Sequence, residues 1–258
     1  MVKFILLGHG RSGSTLLVKN LIEHPGILMD EELFHPEEAE RFKSDPNPNR
    51  DAPEMPGVEI RPYRDGEDGA EYLREAVFCD RSRDDILAVG FKLFYTHARG
   101  DAKARTAWDY LIENRDVRVV HLVRVNLLES FLSLKVAFMT GEWRRWKGAE
   151  GASAPPTSLR LEPRECEEYF NEITAYRAWA RDAFRRHPFL EIEYERDVCA
   201  RYPETMGRVY DFLCVPRGPA EQLLEKQSRR RPRETVSNYA ELKEHFRPTA
   251  YGKFFEEV

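Results

Sequence analysis

The chain has 258 residues, which is enough to bury one sizeable hydrophobic core. Its formal net charge of -5 gives no reason to expect general binding to nucleic acid, and its 41% of hydrophobic residues is the balance of an ordinary globular protein. No run of about 18 apolar residues occurs, so no transmembrane segment is expected.

The cysteines and histidines show no spacing typical of metal ligands. Cys79, Cys166, Cys199 and Cys214 lie far apart without a C-x-x-C pair, and the seven histidines form no H-E-x-x-H pattern. We therefore expect neither a disulfide framework nor a metal site, and a reducing, cytoplasmic location is favoured.

Apolar periodicity predicts the order of strands and helices. Short apolar runs, rich in β-branched or aromatic residues, predict buried strands at 3–7, 86–94, 117–123 and 189–194. Residues 26–29 have the composition of a further short strand. Apolar residues at helical spacing predict helices over 14–24, 126–139 and 163–187. This alternation favours an α/β fold with a central, mainly parallel sheet, in one domain over residues 1–258.

Two stretches without any period are expected to be loop insertions. One spans about residues 45–69, which are dense in Pro, Asp, Gly and Asn, and the other spans about residues 148–163. Long loops in a compact domain are often lids or substrate-binding segments, and a surface excursion without a role is the alternative.

The sequence GHGRSGST, residues 8–15, follows the first predicted strand and opens the first predicted helix. It fits the dinucleotide pattern G-x-G-x-x-G, and it departs from the nucleotide P-loop G-x-x-x-x-G-K-[ST] in having Ser14 where the lysine should stand. In both patterns a strand, a glycine-rich turn and a helix start direct backbone N–H groups at an anion.

Neither of these two interpretations fits the rest of the chain. The acidic residues Asp30, Glu31 and Glu32 lie where a ribose-binding carboxylate would be, but no second βα unit follows promptly. An ATP or GTP site lacks its lysine, and the other strand ends carry Lys92 and Arg124, which cannot hold Mg²⁺. Cationic side chains without a metal suit transfer of a sulfuryl group from a phosphosulfate donor, with a carboxylate accepting the proton of the incoming hydroxyl.

Four motifs, in this order along the chain, resemble those of sulfotransferases that use 3′-phosphoadenosine 5′-phosphosulfate (PAPS), of the nodulation-factor and carbohydrate type. They are residues 10–17 with His24-Pro25 and Glu31-Glu32, residues 121–126 with Ser130 and Ser133, residues 191–195, and Lys226-Gln227 followed by residues 236–239. The resemblance covers most of the chain. It implies a P-loop-like, three-layer α/β fold, transfer of a sulfuryl group from PAPS to an acceptor hydroxyl, and release of adenosine 3′,5′-bisphosphate.

The resemblance also implies which residues bind the donor. The 5′-phosphate is expected to contact Ser12, Gly13, Ser14, Thr15 and Leu16. Arg11 is expected to stabilise the charge that develops on the bridging oxygen as the S–O bond breaks. Arg124 and Ser133 are expected to bind the 3′-phosphate, a task that Ser130 could share. Lys226 and Gln227 are expected to contact the nucleotide.

A carboxylate at the end of the second predicted strand is the expected general base. Glu32 is the candidate that the resemblance favours, and Glu31 beside it is the rival. Lys92 ends a buried strand, where it either binds a sulfuryl oxygen or is a structural lysine, and His97 is a further candidate.

Two further stretches of the sequence can each be interpreted in two ways. The basic run at residues 228–233 is either solvated or binds an anion, which would be the 3′-phosphate or an anionic acceptor. Residues 143–146, Trp-Arg-Arg-Trp, either stack on sugar rings or cap the core.

The acceptor follows from the resemblance alone, which favours a hydroxyl on a saccharide or glycolipid and leaves lipid, tyrosine and other small-molecule hydroxyls open. The alternatives from other classes are a P-loop nucleotide kinase and a non-catalytic nucleotide-binding protein. The oligomeric state is not visible in the sequence.

Overall fold

A parallel sheet forms the centre of the protein in a computed structural model that describes residues 1–34, 60–80, 85–147, 158–225 and 230–256. Within these residues the sheet has the strands β1 (Val2–Gly8), β2 (Ile27–Asp30), β3 (Ala88–Phe94), β4 (Arg118–Val123) and β5 (Phe189–Glu193). The strand order is β2-β3-β1-β4-β5, and neighbouring strands pair in parallel. The predicted parallel sheet is confirmed.

Helices connect the strands and cover the sheet. They are α1 (Ser14–Ile22), α2 (Gly69–Tyr72), α3 (Ala102–Glu113), α4 (Leu127–Thr140), α5 (Pro163–Ala183), α6 (Tyr202–Leu213), α7 (Pro232–Thr235) and α8 (Tyr239–Phe246). Short π-helical turns at Leu73–Val77 and Tyr194–Cys199 and a 3-10 turn at Gly252–Phe255 complete the described elements. None of the helices in these residues is long and apolar enough to cross a membrane.

The three layers follow from the two buried faces of β1. Alternate residues of a strand point to opposite faces, so Phe4 and Leu6 join a core cluster that includes residues of α1 and α6. Ile5 and Leu7 join the cluster on the other face, which includes residues of α3. A third cluster joins α4, α5, α8 and the C-terminal 3-10 turn. The three-layer α/β fold expected from the sequence is therefore confirmed.

Several element boundaries differ from the predictions. The last predicted helix was expected to reach His187, but α5 ends at Ala183 because the His187 ring turns inward and bonds the carbonyls of Val117 and Ile112. The helices α3, α6 and α8 were not predicted, although α6 has buried apolar residues at helical spacing. The four cysteines are free thiols, as their spacing predicted.

The two predicted loop insertions lie partly outside the described residues. Residues 60–68 and 158–162 contain turns, extended chain and a single isolated bridge, which agrees with the prediction for those parts. Residues 45–59 and 148–157 are outside the described part of the chain.

The carboxyl ends of the parallel strands lie along one edge of the sheet. The end of β1 is at the centre of this edge, because β1 lies between β3 and β4. Ligands of open parallel sheets bind at this edge, where the loops after neighbouring strands converge. The residues that follow β1, β2, β3, β4 and β5 are those that the sequence motifs singled out.

Candidate active site

The loop after β1 has the geometry of an anion cradle, and residues 8–15 are called the phosphate loop below. Gly13 precedes α1 with a φ of 90°, and a Cβ added there would lie 2.4 Å from Cε2 of Tyr194. Glycine is therefore required both by the backbone and by the ring packed against it. Within the described residues no side chain caps α1, so the amides at its start are directed at the space where an anion would bind.

Arg11 is held in the phosphate loop by two hydrogen bonds. Its Nε donates to Oγ of Ser133 at 3.0 Å, and its Nη1 donates to the backbone carbonyl of Trp143. The backbone of Arg11 has a φ of 65°, in the left-handed region that a non-glycine residue rarely adopts. Burial, followed by the charge of Arg124, lowers the pKa of Arg11 to about 10. Arg11 remains protonated at neutral pH, and its environment would be relieved by an anion.

Arg124 follows β4 and contacts the backbone of the phosphate loop. Its side chain is only 8% exposed, and it donates to the Arg11 carbonyl at 3.1 Å and to Glu129 at 2.9 Å. The guanidinium lies 4.9 Å from the ring centroid of Tyr194. Arg124 and Ser133, which were predicted to act together, therefore meet at Arg11 from two sides.

Arg177 is a third arginine at this place, and the sequence did not indicate it. It comes from α5, and its Nη2 donates to the carbonyl of Arg124. Burial lowers the pKa of Arg177, as it does for Arg11. Its sequence neighbours carry no signal that could have identified it.

Several buried polar atoms around the phosphate loop have no hydrogen-bond partner among the residues that the structure describes. They are Ser12 Oγ, His9 Nδ1, Arg124 Nε and Arg177 Nε. Buried polar groups are nearly always satisfied, and a cluster of exceptions is typical of a site that a ligand or water completes.

Ser130 lies too deep to bind a ligand directly in this structure. It has no exposed surface, and its hydroxyl pairs with His9 Nε2 at 3.1 Å and with the Tyr169 hydroxyl at 2.8 Å. Burial, with the nearby charges of Arg177 and Arg124, lowers the pKa of His9 well below its ordinary value, so His9 is neutral. The Ser130 side chain thus fastens the phosphate loop to α4, whereas Ser133, one helical turn further, reaches Arg11.

Glu31 belongs to a group of charged residues called the carboxylate cluster, which consists of Glu31, Glu32, Lys19, Lys92, His97 and Arg144. Glu31 pairs with Lys19 Nζ at 2.9 Å and with Lys92 Nζ at 3.5 Å, and it accepts two hydrogen bonds from Arg144. Burial would raise the pKa of Glu31, but Lys92, Arg144 and Lys19 together outweigh it and lower the pKa to about 2.

Glu32 faces Lys92 and His97. Its Oε1 lies 2.7 Å from Lys92 Nζ, and its Oε2 lies 3.8 Å from His97 Nε2. Lys92 is 1% exposed, so its charge is compensated by these carboxylates rather than by water. The two candidates for the base therefore lie together with Lys92 of β3 and with His97, which follows β3.

The motif at residues 191–195 fixes the start of α4. The Glu195 carboxylate accepts from the amides of Val125 at 2.8 Å and Asn126 at 3.0 Å, and the Asn126 side chain caps the helix by accepting from the Glu129 amide. Because Arg124 directly precedes Val125 and Asn126, these hydrogen bonds fix the position of the backbone that carries the Arg124 side chain.

Residues 141–147, called the strap below, run beside both regions. Within the strap, the Trp143 carbonyl accepts from Arg11, and Arg144 pairs with Glu31. Trp146 is 8% exposed and lies 5.6 Å from Lys19 Nζ, and it bridges antiparallel to Leu224. Trp146 is therefore buried, and both interpretations of residues 143–146, stacking on sugar rings and capping of the core, stay predictions.

The C-terminal motif is only partly visible, because Lys226 and Gln227, with residues 228 and 229 of the basic run, lie outside the described residues. In the described part, the Asn238 side chain donates to the Leu161 carbonyl at 2.8 Å and accepts from the Leu161 amide at 3.1 Å. Val236 is buried in the cluster that contains α4 and α5. These contacts attach the segment after the basic run to the residues that precede α5.

The strand order separates this protein from the dinucleotide-binding class. There the second strand lies beside the first, whereas here β2 pairs with β3 and lies at the edge of the sheet. A glycine-rich loop after the central strand β1, arginines around it and carboxylates after the edge strand β2 are features of a P-loop-like α/β protein with an anion-binding loop.

Comparisons with known proteins show what the chain is similar to. No protein-family model matches the sequence. Nodulation protein H of Rhizobium tropici is 28% identical over 260 residues, covering 98% of this chain and 92% of that protein. Nodulation protein H of Rhizobium meliloti (strain 1021) is 29% identical over 268 residues, covering 98% and 94%. The crystal structure of a sulfotransferase from Alicyclobacillus acidocaldarius matches with a TM-score of 0.47 and 15% identity, covering 100% of this chain and 97% of that chain.

The relatives that match over nearly their whole length agree with the four sequence motifs. These similarities support a sulfotransferase family and a sulfotransferase enzyme.

Proposed function

We propose that the protein transfers a sulfuryl group from PAPS to an acceptor hydroxyl, with the phosphate loop as the donor site and the carboxylate cluster as the source of the general base. The observation that carries the proposal is the short connection between these regions. Arg11 of the phosphate loop bonds Trp143, and the next residue, Arg144, bonds Glu31, which precedes Glu32. A loop for a phosphate and a carboxylate for a proton are thus joined by two neighbouring residues.

The residues present fit the donor. The backbone of residues 12–16 at the start of α1 would hold the 5′-phosphate, and Arg124 with Ser133 would hold the 3′-phosphate. The buried atoms without partners, Ser12 Oγ and Arg124 Nε among them, support an anionic occupant of this region. When bound, PAPS supplies a sulfuryl group whose leaving group is a 5′-phosphate.

The residues of the chain would act on the acceptor and the leaving group as follows. Glu32 takes the proton of the acceptor hydroxyl as the oxygen forms its bond to sulfur. The bond from sulfur to the bridging oxygen breaks, and its electron pair stays on the 5′-phosphate, where Arg11 balances the charge. Lys92, 2.7 Å from Glu32, either holds a sulfuryl oxygen or is a structural lysine paired with this carboxylate. The products are a sulfate ester and adenosine 3′,5′-bisphosphate, and no metal takes part.

Glu32 is the proposed base because the motif resemblance favours it over Glu31. Three cations surround Glu31 and lower its pKa to about 2, so its affinity for a proton is very low. The contacts of Glu32 involve Lys92 and the more distant His97.

We propose a saccharide or glycolipid hydroxyl as the acceptor and residues 1–258 as one sulfotransferase domain. The acceptor proposal is supported by the motif resemblance and by the similarity to nodulation protein H. The domain proposal is supported by the single sheet that the described strands form.

A thermal-shift comparison tests the donor, using adenosine 3′,5′-bisphosphate, ATP with Mg²⁺ and NAD side by side. We expect the bisphosphate to stabilise the protein most, because binding to the folded state raises the melting temperature with affinity. In Arg124→Ala, the preference for this ligand over adenosine 5′-phosphate should be lost. Preferential stabilisation by ATP or NAD would contradict the proposal.

A transfer assay tests the reaction and the acceptor. The full-length protein is incubated with PAPS labelled in the sulfuryl group and with a panel of a neutral oligosaccharide, a glycolipid and a tyrosine peptide. We expect label in the saccharide or glycolipid, and label in the peptide alone would replace the proposed acceptor.

A further inference from the structure

Glu31 connects four separate parts of the chain at the carboxyl edge of the sheet. It follows β2, and its carboxylate meets Lys19 of α1, Lys92 of β3 and Arg144 of the strap. The Glu31 carbonyl also accepts from the amide of Lys92 at 2.9 Å. Such a residue is placed to determine the relative positions of the elements that it joins.

The strap is the element whose position matters for the chemistry. Its residue Trp143 offers the carbonyl that holds Nη1 of Arg11, and the next residue, Arg144, is bound by Glu31. At its far end the strap pairs with residues 223–225, through Lys147 N to Leu223 O at 3.0 Å and Glu225 N to Arg145 O at 2.9 Å. The Glu31–Arg144 pair therefore anchors the part of the strap nearest to Arg11.

We infer that Glu31 is a positioning residue, which acts through Arg144 and the Trp143 carbonyl to set the direction of the Arg11 guanidinium. This inference rests on the proposed function, in which Arg11 balances charge on the leaving phosphate. A guanidinium must be directed at the developing charge to be effective, and a displacement of about 1 Å can cost about 100-fold in rate. Glu31 and Arg144 would thus contribute to turnover without contacting the donor or the acceptor.

The test is a double-mutant cycle of Glu31→Gln and Arg144→Gln in the transfer assay, with the acceptor that gives the highest turnover. We expect each single variant to lower kcat by about 10- to 100-fold, and the double variant to be no slower than the slower single variant, because both remove the same contact. Affinity for adenosine 3′,5′-bisphosphate should change by less than about 3-fold, since the cradle at α1 is intact. Arg144→Lys should restore part of kcat.

Glu165→Gln is the matched control, because Glu165 pairs with Lys135 on the exposed surface between α4 and α5, at 3.0 Å. It should leave kcat unchanged. If Glu31→Gln behaves like this control, or if kcat and bisphosphate affinity fall in parallel, the inference is overturned while the proposed function stands. If Glu31→Gln abolishes transfer and Arg144→Gln does not, Glu31 is the base. If the unmodified protein transfers nothing from PAPS, the proposed function fails and this inference falls with it.

Discussion

The phosphate loop and the carboxylate cluster lie at the same edge of the sheet, but they balance their charges differently. In the cluster, the carboxylates of Glu31 and Glu32 are paired with lysine and arginine side chains from three other elements. Around the loop, three arginines converge, and polar atoms such as Ser12 Oγ and Arg124 Nε are buried without partners.

This difference separates a self-sufficient region from one that needs a ligand. Burial lowers the pKa of Arg11, and the nearby charge of Arg124 lowers it further, because buried cations are unfavourable unless anions accompany them. The cluster carries its own anions, so it can stay ordered without substrate. The loop would be completed by an anion from outside, which agrees with a donor that bears two phosphate groups.

The largest effect is expected from removing the cation of the loop, in Arg11→Ala. We expect turnover to fall by about 1000-fold or more, because a group directed at developing charge is commonly worth about that much. The protein should stay folded, since the change removes the repulsion between the buried charges of Arg11 and Arg124. The measurement is kcat in the transfer assay, with circular dichroism as the check on folding, and near-normal turnover would remove Arg11 from the mechanism.

The next effect is expected in the cluster, where Glu32→Gln removes the proposed base and keeps the shape of the side chain. Loss of general-base catalysis costs about 100- to 10,000-fold, and we expect kcat to fall within that range. Binding of adenosine 3′,5′-bisphosphate should be unchanged, because Glu32 belongs to the cluster and not to the loop. Activity within a few-fold of the unmodified protein would mean that the two regions have been assigned the wrong tasks.

The parts of both regions that are local in sequence could be predicted. A strand, three glycines and a helix start are contiguous, and Glu31 and Glu32 directly follow a short apolar run, so their location at the sheet edge follows from chain order. The contacts between regions could not be predicted in this way. Glu31 and Arg144 are 113 residues apart, and nothing near either residue indicates the other.

Arg177 and Ser130 show two further limits of sequence reasoning. Arg177 lies between Tyr176 and Ala178 in a long helix, and its place beside Arg124 depends on how α5 packs against the end of β4. Ser130 and Ser133 occupy one short helix segment, and which of them turns inward depends on the packing of His9 and Tyr169. Packing decided both cases.

The cluster should also show in the pH dependence of stability. The pKa of Glu31 is lowered to about 2 in the folded protein, from about 4.5 when exposed, so its ionised form stabilises the fold above pH 4.5. That contribution is of the order of 3 kcal/mol, and about half of it is lost by pH 3.5 as the unfolded state takes up the proton. Urea unfolding of the unmodified protein and Glu31→Gln should show a difference in stability that shrinks from pH 7 to pH 3.5. A stability difference between the unmodified protein and Glu31→Gln that stays constant with pH would contradict this prediction. Glu165→Gln should differ little in stability from the unmodified protein at either pH.

The smallest effect is expected from a single methyl group in the loop, in Gly13→Ala. The φ of 90° is unfavourable for alanine, and the new Cβ would overlap the ring of Tyr194, 2.4 Å from Cε2. A residue forced into such backbone costs about 1 to 3 kcal/mol, which should weaken bisphosphate binding and lower the melting temperature. Gly100→Ala is the matched control, because a Cβ there meets no atom within 4 Å. If both variants bind the bisphosphate equally well, the close packing of Tyr194 on the phosphate loop does not shape the donor site. If only Gly13→Ala loses affinity, the phosphate loop depends on its backbone conformation, whereas the carboxylate cluster depends on paired side chains.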